Sequence, residues 1–355
     1  MDLSGCYYLN AINQYSNMKT PLLFNPQGND SDRSIWFGNT TNVINLNNVK
    51  YPWAIDIYNQ MRENFWIPEK ADITQDVNDY KMLLPQEVRA FDYCLSFLTF
   101  LDSIQVINIP HLKIPVTAPE IHICLSEQLS QESLHNKSYQ YIIETVIPKE
   151  KRDYIYELWR EDKILESRCN AIAQFYQNYV NTGSDIDYFI ALFADYLLEG
   201  IYFYQGFIFF YSLASRQLMS GCADIFRWIN KDELSHVRLY QRLIIEAMKV
   251  FPHSTNQLYE IADEVVQHEI TWSNHAINQV IGITPQSIEQ YTKYLANVRL
   301  RAIGLAEPYQ GFTKSPYVHL EKFADTKADG STKANFFEAT VTSYNQATAI
   351  KGWDW

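Results

Sequence analysis

The chain has 355 residues, 47% of them hydrophobic, and a formal net charge of −12. That size and apolar content can bury one large core or two modest ones, which sets fibrous and disordered classes aside. The acidic balance repels phosphate backbones and no run of Lys or Arg overrides it, so nucleic-acid binding is not expected. Five cysteines, Cys6, Cys94, Cys124, Cys169 and Cys222, are dispersed and odd in number, which reads as reduced thiols in a cytoplasmic protein.

Residues 1–50 are rich in Asn, Asp and Gly, as in Asn25-Pro-Gln-Gly-Asn-Asp-Ser-Asp32, and are expected to form an irregular arm. The first ten residues lack the basic and apolar stretches of a secretory signal. From 51 to 323, apolar residues recur at helical spacing between short breaks marked by Pro or Gly, with no alternating run that reads as a strand. This predicts helices at 53–65, 86–108, 119–146, 151–181, 186–219, 221–250, 256–281 and 285–304. Pro85 suits a first helical turn, Pro110 and Pro148 fall just past predicted ends, and Gly221 separates two helices. Long helices with short connections specify an all-α antiparallel bundle. The most apolar stretch, 201–214, is shorter than the roughly 20 residues that span a bilayer, so it reads as the middle of a bundle and no membrane partner is expected. Residues 324–355 are small, polar and aperiodic, and read as a flexible C-terminal tail.

Two tripeptide-spaced pairs carry the chemistry: Glu132-Ser-Leu-His135 and Glu233-Leu-Ser-His236. On a helix, residues three apart lie about 60° apart around the axis and about 4.5 Å along it, so both side chains can reach one metal ion. A single pair of this kind is more often a surface ion pair or a satisfied histidine. Here each is preceded, one predicted helix earlier, by an acid set in apolar sequence: Asp102 before the first and Glu199 before the second. A buried carboxylate needs a cation. Four carboxylates and two imidazoles on four helices are enough for two metals, and oxygen with imidazole donors, without thiolate, favours iron or manganese. Glu264 and His268 share a helix face but have no matching pair, and read as a surface feature.

The run Glu132-Ser-Leu-His135-Asn-Lys-Ser-Tyr139 resembles the ExxHxxxY motif of the class I ribonucleotide reductase small subunit, a ferritin-like dimetal-carboxylate family. The resemblance extends through Asp102-Ser-Ile-Gln105 and Asn297-Val-Arg-Leu-Arg-Ala-Ile-Gly304 and covers roughly residues 50 to 355. It implies a ferritin-like bundle with Asp102, Glu132, His135, Glu199, Glu233 and His236 around two iron ions, with manganese as the alternative. It also implies a tyrosyl radical on Tyr139 in an apolar pocket lined by Phe203, Phe207 and Ile229. All three positions are equally explained by core packing. Trp66 is similar to the family's internal tryptophan and Asp232 to the aspartate linking it to His135. Tyr344 resembles a C-terminal relay tyrosine, with Glu338 as its acidic companion. The implied activity is ribonucleoside-diphosphate reductase, exercised by a homodimer with a large catalytic subunit that the tail docks. Lys231 departs from the arginine of some members, and only 11 residues follow Tyr344.

Another dimetal oxidase or hydroxylase would share the six ligands but have no use for Trp66 with Asp232 or for a tyrosine-bearing tail. An iron-storage cage needs a shorter chain, and a metal-free helical scaffold would make the acids coincidental.

Overall fold

A computed structural model describes residues 22–47 and 49–324, and every regular element among them is helical. The order is α1 (Pro52–Glu63), a 3-10 turn (Pro68–Lys70), α2 (Asp76–Met82), α3 (Pro85–Lys113), α4 (Pro119–Val146), α5 (Lys149–Glu161), α6 (Lys163–Thr182) and α7 (Asp185–Leu197). A π turn (Leu198–Tyr202) joins α7 to α8 (Tyr204–Ala214), followed by α9 (Ser220–Val250), α10 (Thr255–Ala276), α11 (Pro285–Ala302) and α12 (Val318–Glu321). Helices α3, α4 and α9 pack with the α7–π–α8 segment as the inner layer, while α1 lies across α4 and α9, and α5, α6, α10 and α11 cover the outside.

The first turns of α3 and α4 carry Pro85 and Pro119, whose fixed φ suits a position where no amide donor is needed. Glu87 turns back to accept the Leu84 amide at 3.1 Å. α3 continues through Pro110 to Lys113 instead of stopping before it. The lost hydrogen bond is tolerated because Ile109 and Leu112, on either side of the proline, are wholly buried and hold the last turn against the bundle. An 18-residue window of α3 is apolar enough to cross a membrane by composition; 67% of it is buried within the bundle, and the helix carries the buried acids Glu87, Asp92 and Asp102.

Three further departures from the sequence reading share a cause: the apolar rhythm continues where the backbone changes course. The helix expected at 151–181 is two, because Asp162 adopts an extended conformation and caps α6 by accepting from the Ile164 and Leu165 amides. The helix expected at 186–219 is interrupted by the π turn and ends at Ala214. The chain then passes Gln217 and Met219 at φ 62° and 54° before α9 begins. α9 has no cap of its own. Instead α2, absent from the sequence reading, supplies Asp79 to the Met219 amide at 2.9 Å and Asp76 to the Gly221 and Cys222 amides at 3.2 and 2.5 Å. The close approach needs glycine, since a Cβ on Gly221 would lie 2.2 Å from the Asp72 carbonyl oxygen.

Candidate metal centre

Four segments of the inner layer converge on one point. α3 brings Asp102, α4 brings Glu132 and His135, the π turn brings Glu199, and α9 brings Glu233 and His236, all with no exposed surface. His135 Nδ1 lies 3.1 Å from Glu233, 3.5 Å from Glu132 and 3.6 Å from Asp102. His236 Nδ1 lies 2.9 Å from Glu233, 3.1 Å from Glu132 and 3.7 Å from Glu199. The side chains form two overlapping groups, Asp102–Glu132–His135–Glu233 and Glu132–Glu199–Glu233–His236, each with its ligand atoms within 4.8 Å of one another. Glu132 and Glu233 belong to both, which is where carboxylates bridging two ions would stand.

The donor atoms also fit two ions by what they lack. Both oxygens of Asp102, one each of Glu132, Glu199 and Glu233, and Nδ1 of His135 are buried without a hydrogen-bond partner. Buried polar atoms are ordinarily satisfied, and six aimed at one place call for a cation. Burial and neighbouring carboxylates push Asp102 and Glu199 well above the usual carboxylate range. Burial opposes the charge on Glu132 and Glu233, yet the adjacent imidazoles hold both below it. Burial likewise opposes protonation of His135 and His236, but the surrounding acids hold both imidazoles well above their ordinary value. Protons thus balance the cluster where metal charge otherwise would.

The outer nitrogens are held in turn. His135 Nε2 lies 3.3 Å from Asp232 Oδ2, and the same oxygen accepts from Trp66 Nε1 at 2.7 Å. The Trp66 ring stacks on His135 at 6.0 Å and meets Trp228 at 5.4 Å. His236 Nε2 faces Gln131 Oε1 at 3.0 Å. Glu199 Oε1 accepts from Gln105 at 2.7 Å and Gln128 at 2.9 Å, and Gln105 also donates to Asp195. Burial pushes Asp195 up to about 7, against hydrogen bonds from Gln105 and Tyr240.

Trp66 and Asp232, named from the sequence, thus lie together beside His135, whereas Gln128, Gln131, Asp195 and Trp228 were not named from it. A signal existed for two of them: Gln128 and Asp195 stand four residues before Glu132 and Glu199, on the same helix faces.

Tyr139 is wholly buried on α4, and burial, Asp102 and Glu233 hold its phenol well above the ordinary range. The ring against it is Phe226, stacked at 6.0 Å, which is itself stacked on Phe210 at 3.6 Å. Phe207 lies 6.5 Å from Phe226 and 6.0 Å from Phe203, and Phe203, Phe207 and Ile229 are all buried in the same core. Glu264 is exposed and His268 half-buried, apart from the cluster. Tyr344 and Glu338 lie outside the described residues.

A ferritin-like bundle with a buried acid and imidazole cluster of this composition defines a class of proteins suited to two metal ions. Within that class, the model of the family described as "Ribonucleotide reductase, small chain" matches residues 43–316, and the chain belongs to that family. It is 36% identical over 337 residues to the ribonucleoside-diphosphate reductase subunit beta of Treponema pallidum, covering 92% of this chain and 95% of the relative. The ribonucleotide reductase R2 subunit from Clostridium botulinum superposes with a TM-score of 0.82 at 38% identity, over 87% of this chain and 99% of that one. A dimanganese(II) NrdF from Streptococcus sanguinis shares the fold, with a TM-score of 0.68 at 20% identity over 76% of this chain and 94% of that one.

Proposed function

We propose that this chain is the radical-generating small subunit of a ribonucleoside-diphosphate reductase, holding two iron ions, with manganese as the alternative, and a tyrosyl radical on Tyr139. The observation that carries this reading is the convergence of six unexposed ligands on one point, next to a buried tyrosine on the same helix as two of them. Asp102 and His135 would hold one ion, Glu199 and His236 the other, with Glu132 and Glu233 shared. Bound in reduced form, the ions supply electrons for the reduction of oxygen and so the oxidising power at the site.

The chain's own residues do the rest. Tyr139 gives up one electron and its hydroxyl proton, beside Asp102. The stacked rings of Phe226 and Phe210 exclude water that would quench the radical. Trp66, bonded to Asp232 and so to His135, gives the oxidising equivalent a way out of the core. Tyr344 in the tail, with Glu338 near it, passes it to the large subunit, where reduction of the ribose takes place. We read the working form as a cytoplasmic homodimer whose tail anchors the partner through Trp353 and Trp355, since tryptophans make effective anchors.

The alternative, a dimetal oxidase or hydroxylase acting alone, leaves the Trp66–Asp232 bond without a use. The test mixes the metal-loaded chain with a class I large subunit and follows conversion of a ribonucleoside diphosphate to its deoxy form. Turnover should require both proteins and vanish on deletion of residues 351–355, with metal uptake intact. Turnover undiminished by the deletion, or oxidation of a small substrate by the chain alone, contradicts the proposal.

A further inference from the structure

Glu199 is the one ligand delivered by a π turn. Such a turn adds a residue to the helical circuit and leaves its carbonyls poorly aligned with the next amides, so it persists only where other groups hold it. Here two carbonyls of the turn accept hydrogen bonds from guanidinium groups on outer helices. Arg299 of α11 donates from Nε to the Gly200 oxygen at 3.0 Å, and Arg168 of α6 donates from Nη2 to the Tyr202 oxygen at 3.3 Å.

Both arginines are almost entirely buried, at 6% and 1% exposure. Burying a guanidinium is costly, so each has been given partners. Arg168 is paired with Glu269 of α10 and enclosed by the rings of Phe97, Tyr202 and Trp272, whose centroids lie 3.6, 4.4 and 4.4 Å from its carbon. Arg299 is tied back a second time, because its own carbonyl accepts the Tyr196 hydroxyl of α7 at 2.8 Å. Its side chain lies directly on Gly200: a Cβ there would come within 2.9 Å of Nε. The glycine after Glu199 is what lets the clamp close.

We propose that Arg299 and Arg168 are positioning residues that fix the π turn and thereby aim Glu199 at the second metal position. This inference rests on the metal reading given above. The side chain of Glu199 is steered by Gln105 and Gln128, and its backbone by the two arginines. If the turn relaxed to an ordinary α-helix, one residue of rotation, about 100°, would have to be absorbed at or near Glu199. The carboxylate would then face away from His236. Asp102 and His135, on regular helices, would be untouched.

The test uses the full metal-free chain and two variants that attack the clamp from opposite sides, Arg299→Ala and Gly200→Ala. By helix propensity alone alanine is the better residue at 200, so weakened metal binding there is not explained by a poorer helix. Manganese(II) is titrated in by calorimetry, and amide hydrogen exchange is followed across 198–204 and along α4. Wild type should take up two ions. Both variants should keep the first within about twofold and lose about tenfold or more at the second, the range for groups that orient ligands. Exchange at 198–204 should differ from wild type by about tenfold, as its hydrogen-bond pattern changes, while α4 is unchanged. Second-site affinity unaltered in both variants, or equal losses at both sites, overturns the clamp. If wild type takes up no ions, the metal reading falls on its own, and unchanged exchange in Arg299→Ala would separately dispose of the arginine clamp.

Discussion

One oxygen of Asp232 joins Trp66 to His135: Oδ2 accepts the indole N–H at 2.7 Å and lies 3.3 Å from the imidazole Nε2. The two aromatic rings come from before α1's successor turn and from α4, and the acid from the middle of α9, so the link exists only in the folded bundle. With Nε2 directed at Asp232, Nδ1 of His135 faces Glu233, Glu132 and Asp102, the orientation a metal ligand needs once it gives up its proton.

Removing the acid and removing the indole should therefore do different things. Asp232→Ala should weaken metal binding about 10–100-fold, because it frees the His135 ring. Trp66→Phe should leave metal affinity unchanged and abolish turnover with the large subunit. Calorimetric metal titration beside a turnover assay separates the two. Equal metal affinity in Asp232→Ala and wild type would show that the acid does not orient the ligand.

Metal uptake should release protons. Without metal, His135 and His236 are held protonated by the acids around them, and Asp102 and Glu199 are held protonated by burial. All four must lose a proton to ligate, so apparent metal affinity rises with pH through neutrality. The same raised values mean that the folded metal-free chain binds more protons than the unfolded one. Its stability is therefore fullest on the acidic side of neutrality and falls as pH climbs through the folded-state values. Thermal melts across that range should show this slope in the metal-free protein and a shallower one after metal loading, with the part due to the non-ligand Asp195 left in place. A slope of the opposite sign would contradict the protonation pattern.

Glu233→Ala removes a carboxylate common to both ligand groups. Its loss should cost at least the roughly 100-fold in metal affinity that an outer partner can carry. Glu264→Ala, on the exposed face of α10, should change nothing. Similar metal counts in the two variants would undo the choice of ligands.

Much of this centre was legible in the residues because two ExxH pairs and two isolated acids are a periodicity argument, and helical spacing transmits faithfully from sequence to structure. The convergence of Asp102, Glu132, His135, Glu199, Glu233 and His236 needs only that their helices be neighbours. The π turn was invisible, since Leu-Glu-Gly-Ile-Tyr sets one acid in an otherwise apolar run and an extra residue in the circuit leaves no mark on a pattern without a polar face. Asp162 hid for a related reason: a one-residue break does not reset the period, although its role as an aspartate cap suits the residue type. Phe226 escaped as the ring on Tyr139 because every neighbouring position is equally apolar. Asp76 and Asp79 cap a helix by contacts 145 and 140 residues away in sequence, and no local signal announces that.

That long-range cap makes a stability prediction. Asp76→Ala would leave the Gly221 and Cys222 amides buried without acceptors, and a buried donor left unpaired costs about 1–3 kcal/mol. Urea unfolding of the metal-free variant should show a loss of that size, with the metal-ligand spacing on α9 preserved. A change too small to measure would mean that the α9 terminus finds other acceptors.

The central claim is that a buried metal pair oxidises Tyr139. The most direct measurement is aerobic loading of the purified chain with ferrous iron, followed by metal counting and electron paramagnetic resonance, in wild type and in Tyr139→Phe. The account predicts two irons per chain in both proteins and a tyrosyl signal in wild type alone. A tyrosyl signal that survives in Tyr139→Phe would contradict it.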